Sequence, residues 1–160
     1  MKKIIIANDE NIDDIVSLRV KMQIEDWKFT LNKDFSIYSD QFYEITKNYI
    51  KEHFNKSLYF ALMYLKGKPI AMCGIEELAE LPQITVCTES NGRRGCVVSV
   101  YTKPEYRCKG YQQETIRYLL DFAKKECFND ITLTTNTPEA AHIYEKVGFK
   151  KISSKYFLGI

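Results

Sequence analysis

Apolar residues recur along this chain at two spacings, and the spacing changes midway. The run KKIIIA (2–7) is short and continuous, as in a buried strand. Ile12, Ile15, Val16, Arg19 and Met22 then recur at intervals of mostly three and four, so 11–26 reads as an amphipathic helix. Asn11 is placed to cap it, with Asp13 and Asp14 opposing the positive helix end. The stretch WKFTLNKDFSIYS (27–39) has no helical period, holds four aromatics and reads as a loop. Residues 40–54 form a second helical pattern, with Phe42, Ile45, Tyr49, Ile50 and Phe54 on a stripe.

From residue 57 the period shortens. SLYFALMYLKGKPIAMCGIEEL reads as a hairpin: strand 57–65, turn at Lys66-Gly67-Lys68, strand 69–78. RGCVVSVYT (94–102) is a third apolar run, stopped by Pro104, which a central strand does not accept. Ile116, Leu119, Leu120, Ala123 and Cys127 share one face of a helix over 110–127. DITLTT (130–135) is a strand, Thr137-Pro138 opens a helix, Gly148 stops it, and the tail KKISSKYFLGI returns as strand. The order β-α-α-β-β-β-α-β-α-β predicts an α/β (α+β) chain, with one mixed, mostly antiparallel sheet and helices on both faces. The central meander argues against a doubly wound nucleotide fold.

Composition narrows the function classes. The 160 residues are most simply one domain, 1–160. A net charge of +2 with scattered basic pairs gives no case for nucleic acid or a membrane surface. MKKIIIANDE is too short in its apolar part for a signal peptide, and no stretch approaches a membrane span. Five separated cysteines and two histidines offer neither a disulfide framework nor a metal site, so no metal is expected. The expectation is a reduced, cytoplasmic protein. Its richness in Lys, Asn and Ile over Arg, Gly and Pro points to a bacterium with an AT-rich genome.

The chemistry concentrates after the third apolar run. YRCKGYQQE (106–114) sits between a strand and a helix, where unpaired amides and a partial positive charge favour an anion. Arg107, Lys109 and Gly110 suit a pyrophosphate cradle, and equally a plain connection with two surface cations. The stretch VSVYTKPEYRCKGYQQETIRYLL resembles motif A of the GNAT N-acetyltransferases, with Arg107-Cys108-Lys109-Gly110-Tyr111-Gln112 as its phosphate loop. The resemblance implies a GNAT-like sheet and acetyl-CoA as co-substrate. It implies pyrophosphate held by the loop amides, and a thioester arm bonded by the backbone of Val100 and Thr102. Gln112 stands where that motif has Gly or Ala. Its amide could point outward, donate to a phosphate oxygen, or crowd the site.

TNTPEAAHIYEKVGF (135–149) resembles motif B of the same family through Ala141, Tyr144, Gly148 and Phe149. By resemblance, Tyr144 protonates the departing thiolate, and Asn136 bonds the pantetheine amide. A phenol near pKa 10 is a sufficient acid for a thiolate near 8.5. The expected reaction is direct transfer of acetyl to a primary amine, on a small molecule or a peptide, by a monomer or homodimer. The same fold could instead hold an acyl-CoA without catalysis, as a sensor or interaction module. On the acceptor side Glu76 or Glu77, and Glu25 or Asp26, are the carboxylates available as a base. Trp27, with Phe29, Phe35 and Tyr38, could line an acceptor pocket or simply pack the first two helices. Trp27 and Glu76 are the residues expected to meet the acceptor.

Overall fold

The computed structural model describes residues 1–79, 93–135 and 137–152. Five strands form one sheet in the order β1-β2-β3-β4-β5: β1 (Lys2–Ile6), β2 (Leu58–Leu65), β3 (Lys68–Glu77), β4 (Arg94–Thr102) and β5 (Asp130–Thr132). All neighbours are antiparallel except β4 and β5. That parallel pair needs a crossover, and helix α3 (Tyr111–Lys125) supplies it.

The strands read as continuous apolar runs because helices cover both faces of the sheet. On one face α1 (Ile12–Leu31) and α2 (Ser39–His53) bring Ile15, Leu18, Met22 and Ile50 against Phe60, Leu62, Met72 and Tyr101. On the other, α3 and α4 (Pro138–Lys146) bring Ile116, Leu119, Ala123 and Tyr144 against Ala61, Cys73, Ile75 and Val97. Successive residues of β2 and β3 therefore serve opposite cores, as strand alternation requires. The mixed sheet with helices on both faces is the architecture the sequence pattern predicts.

Several boundaries differ from that pattern. Trp27–Leu31 is not loop: α1 runs on to Leu31 and ends at Asn32 in the left-handed conformation. The extra turns bury no large apolar side chain, Trp27 being 44% and Phe29 88% exposed, although Ile24, Trp27 and Leu31 keep the helical spacing and share one pocket. Their helix is supported locally, Trp27 Nε1 donating to Gln23 Oε1 one turn back at 3.1 Å. Asn11 precedes α1 without capping it; Asn8 caps the short turn Asp9–Asn11, and Asn11 Oδ1 accepts from the Asn8 amide at 3.0 Å. Thr137 likewise makes no capping bond to α4. β5 is only three residues long, because beyond Cys96 strand β4 no longer runs beside it. The strand expected over 150–160 falls mostly outside the described residues; Lys151 and Ile152 are not strand.

Candidate functional site

The short β5 determines the site. β4 and β5 pair only through Arg94, Gly95 and Cys96, so the edge of β4 from Val97 to Thr102 has no strand partner there among the described residues. The sheet opens at this point. A groove of about 790 Å³ fills the opening. Val100 and Thr102 of β4 line one wall, the loop Arg107–Gly110 with Tyr111 and Gln112 another, and Ala140, Ile143 and Tyr144 of α4 a third. Met22, Glu25, Asp26 and Phe29 of α1 close it from the opposite face of the sheet.

At one end lies the start of α3. Gly110 occupies the cap position at φ 77, and among the described residues no side chain caps this helix start. A Cβ at Gly110 would meet nothing within 4 Å, so the glycine answers to backbone conformation and not to space. Cys108 also takes a positive φ, 60°, which turns the loop around the amides. Unpaired amides at a positive helix end suit an anion, so this is a candidate anion seat.

The side chains around that seat are committed elsewhere. Arg107 Nε donates to the Thr102 carbonyl at 2.9 Å, and its Nη2 to Glu25 Oε2 at 2.5 Å. Lys109 Nζ donates to the Glu105 carbonyl at 3.0 Å. Gln112 does not point outward or toward the seat: Thr102 Oγ1 donates to its Oε1 at 2.6 Å, and its Nε2 donates to the Met72 carbonyl at 3.2 Å. Its amide fastens α3 to β4 and β3, leaving its own backbone N–H at the helix mouth. A Gly or Ala at this position could make neither bond.

At the other end Tyr144 is 8% exposed, seated among Cys73, Val97 and Phe149. Among the described residues no side chain hydrogen-bonds its hydroxyl and no buried side-chain polar atom is left unsatisfied, which fits a hydroxyl that reaches the groove Tyr144 lines. Burial first, and then the nearby Cys73 thiol, push its pKa up to about 12. It is a weak, persistently protonated acid.

Between the two ends β4 is irregular. Met72 pairs with Tyr101 and Gly74 with Val98, so Ser99 and Val100 stand opposite Cys73 alone. Ser99 takes φ 54, a left-handed turn inside a strand. Its Oγ accepts a hydrogen bond from Arg19 Nη1. Arg19 sits in the apolar stripe of α1; desolvation lowers its pKa, and the Glu76 charge and Tyr49 oppose that effect. The strand's own residues carry no sign of this bulge. The one available sign was a cation interrupting an apolar helix face.

The acceptor-side residues divide. Glu25 accepts from Tyr101 Oη as well as from Arg107, and both Glu25 and Asp26 line the groove. No described side chain hydrogen-bonds to Asp26. Its pKa is raised above 3.8, by desolvation first and by the Glu25 charge second, with Arg107 opposing. Glu76 does not line the groove; it accepts from Tyr49 Oη at 2.5 Å. Glu77 is held by Arg93 at 2.9 Å. Trp27 lines a separate apolar pocket of about 560 Å³ between α1 and α2, with Leu31, Phe35, Tyr38 and Phe42. That pocket meets the side of α1 turned away from Met22, Glu25, Asp26 and Phe29. Asn136 lies outside the described residues. Among the described residues no three His, Cys, Asp or Glu gather to hold a metal ion, and no helix is long and apolar enough to cross a membrane.

Comparison with known proteins agrees with this architecture. The acetyltransferase (GNAT) family model matches residues 22–149. No curated protein sequence matches. Among solved structures, a predicted acetyltransferase from Clostridium acetobutylicum with acetyl-CoA superposes with TM-score 0.75 at 23% identity, covering 99% of this chain and 96% of that one. A GCN5-related N-acetyltransferase from Ralstonia eutropha JMP134 gives 0.74 at 15% identity, covering 99% and 98%. AAC(6')-Iy in complex with the bisubstrate analogue CoA-S-monomethyl-acetylneamine gives 0.71 at 11% identity, covering 100% and 98%.

Proposed function

The chain belongs to the GNAT family of acetyltransferases, and from that premise we propose that it moves the acetyl group of acetyl-CoA to a primary amine by direct attack, with Tyr144 as the acid. One observation carries this reading. A single groove runs from the uncapped start of α3 to Tyr144, past an unpaired strand edge. In this reading the amides around Gly110 hold the pyrophosphate. The edge at Val100 and Thr102 takes up the thioester arm by backbone hydrogen bonds. This seats the sulfur at Tyr144. The neighbour crystallised with acetyl-CoA and the one in complex with a CoA-containing bisubstrate analogue support that choice of ligand.

The chemistry follows from what faces the groove. A neutral amine nitrogen attacks the acetyl carbon, the C–S bond then breaks, and the electron pair leaves with sulfur. Tyr144 gives its proton to the thiolate and is reprotonated from solvent. The amine sheds its own proton to Asp26, directly or through water; the raised pKa of Asp26 makes it a better acceptor than an ordinary aspartate. Glu25, already holding Arg107 and Tyr101, sets the charge beside it. The acceptor is a small-molecule or peptide amine.

The test is calorimetric titration with CoA and acetyl-CoA beside a thiol-release assay over a panel of amines. Binding with release of CoA from at least one acceptor is expected. Failure of CoA to bind would end the reading. Binding without release from any acceptor would replace it with a non-catalytic acyl-CoA module.

A further inference from the structure

The bulge in β4 is strained and it is held from outside the sheet. Ser99 is the one residue within the described strands that takes a positive φ without being glycine. Left alone, a serine there relaxes toward ordinary strand geometry, since the left-handed region disfavours a residue with a Cβ. Its Oγ, however, accepts from Arg19 Nη1, which reaches down from α1. Arg19 is partly buried, and Glu76 lies close enough to favour its charged form, with the Tyr49 hydroxyl donating to that carboxylate. Tyr49 stands on α2, Arg19 on α1 and Glu76 on β3, so three elements meet around the guanidinium that holds Ser99 of a fourth.

We propose that Arg19 is a positioning residue that pins Ser99 in its left-handed turn and so aims the backbone of Val100 into the groove. This rests on the acetyl-transfer reading for its kinetic consequence, though not for the pin itself. Val100 follows the turn directly and lines the groove. Without the pin, the two residues facing Cys73 can share the irregularity differently, and the Val100 peptide rotates. A thioester aligned against that peptide is then misaligned, while pyrophosphate binding some ten residues further on is untouched. Glu76 thereby acts at the site without lining it.

The test compares wild type with Arg19→Met, Ser99→Gly and the double variant. Glycine accepts the positive φ with no hydrogen bond to hold it. Arg19→Met should lower kcat about tenfold or more with KM for acetyl-CoA changed less than about threefold. In the double variant most of the lost kcat should return. An Arg19 that instead grips the acceptor, or merely stabilises the fold, predicts no rescue by Ser99→Gly, and that outcome overturns the proposal. Hydrogen exchange without ligand judges the pin separately: amides of 98–101 should exchange about tenfold faster in Arg19→Met and be slowed again in the double variant. Equal exchange in wild type and Arg19→Met overturns the pin even if turnover falls. A wild type that binds no CoA removes the acetyl-transfer reading instead, and the exchange experiment still decides the pin.

Discussion

Tyr144 and Gln112 show two ways in which one side chain governs the groove. With a pKa near 12, Tyr144 is neutral at all ordinary pH, so its acid form is fully present below that value and is lost only above it. Tyr144→Phe should therefore lower kcat by roughly 10²-fold by a constant factor between about pH 6 and pH 10, giving parallel pH profiles. A factor that varies with pH across that range would assign the acid elsewhere. Gln112 makes two hydrogen bonds by its side chain, to Thr102 and Met72, which occupy its amide within the fold. Gln112→Ala should cost roughly 1–3 kcal/mol in denaturant unfolding and leave CoA affinity nearly unchanged, since the backbone N–H stays. A loss of binding without loss of stability would contradict that division. The sequence could name Gln112 as a departure from the motif. It could not say which way the amide turns, because its partners lie ten and forty residues away.

At the scale of elements, the start of α3 and the irregular middle of β4 were unequally legible. A glycine after two cations, between an apolar run and an amphipathic helix, is a local pattern, and the positive φ of Gly110 follows it. Since space is open there, Gly110→Ala should cost only the conformational penalty, about 1–2 kcal/mol. Isothermal titration should show it as weakened CoA binding together with a lowered unfolding midpoint. The length of α1 and the bulge at Ser99 were less legible. The last turns of α1 bury no large apolar side chain, and the bulge arises from the mismatch between two strands, which neither strand records. Most of the core stripe of α3 was plain in the sequence: Ile116, Leu119 and Ala123 are wholly buried and Leu120 partly so, whereas Cys127, expected on the same face, lies past the end of α3 and is exposed. Leu119→Ala should accordingly cost about 2–5 kcal/mol in unfolding free energy.

For the molecule as a whole, the groove joins both faces of the sheet, and its charges set a pH dependence. Asp26 has a folded pKa above its ordinary 3.8, so its charged form is less welcome in the fold than in the unfolded chain. Its contribution is neutral below the unfolded pKa and becomes unfavourable as pH rises through the folded one. Asp26→Asn should raise the unfolding midpoint at neutral pH and leave it unchanged at pH below the unfolded value. The same substitution should lower kcat at neutral pH. A variant that is less stable at neutral pH would show that Asp26 serves the fold and not the chemistry. The overall architecture was legible because both helix pairs and the hairpin carry strong local periods. The acceptor side was not, because Glu25, Asp26 and Arg107 meet only once the chain has folded: residues 82 apart share one hydrogen bond.

The three-rung ladder between β4 and β5 has a further effect, on solubility. Beyond it, among the described residues, alternate residues of β4 turn backbone donors and acceptors toward the groove with no strand beside them, although Arg107 holds the Thr102 carbonyl. Such an edge invites any passing extended peptide, including one from a neighbouring molecule. A bound thioester arm would occupy the vacant lane as a stand-in strand. Storage without ligand should then favour slow clumping, and a saturating dose of CoA should keep solutions clear, as light scattering would record.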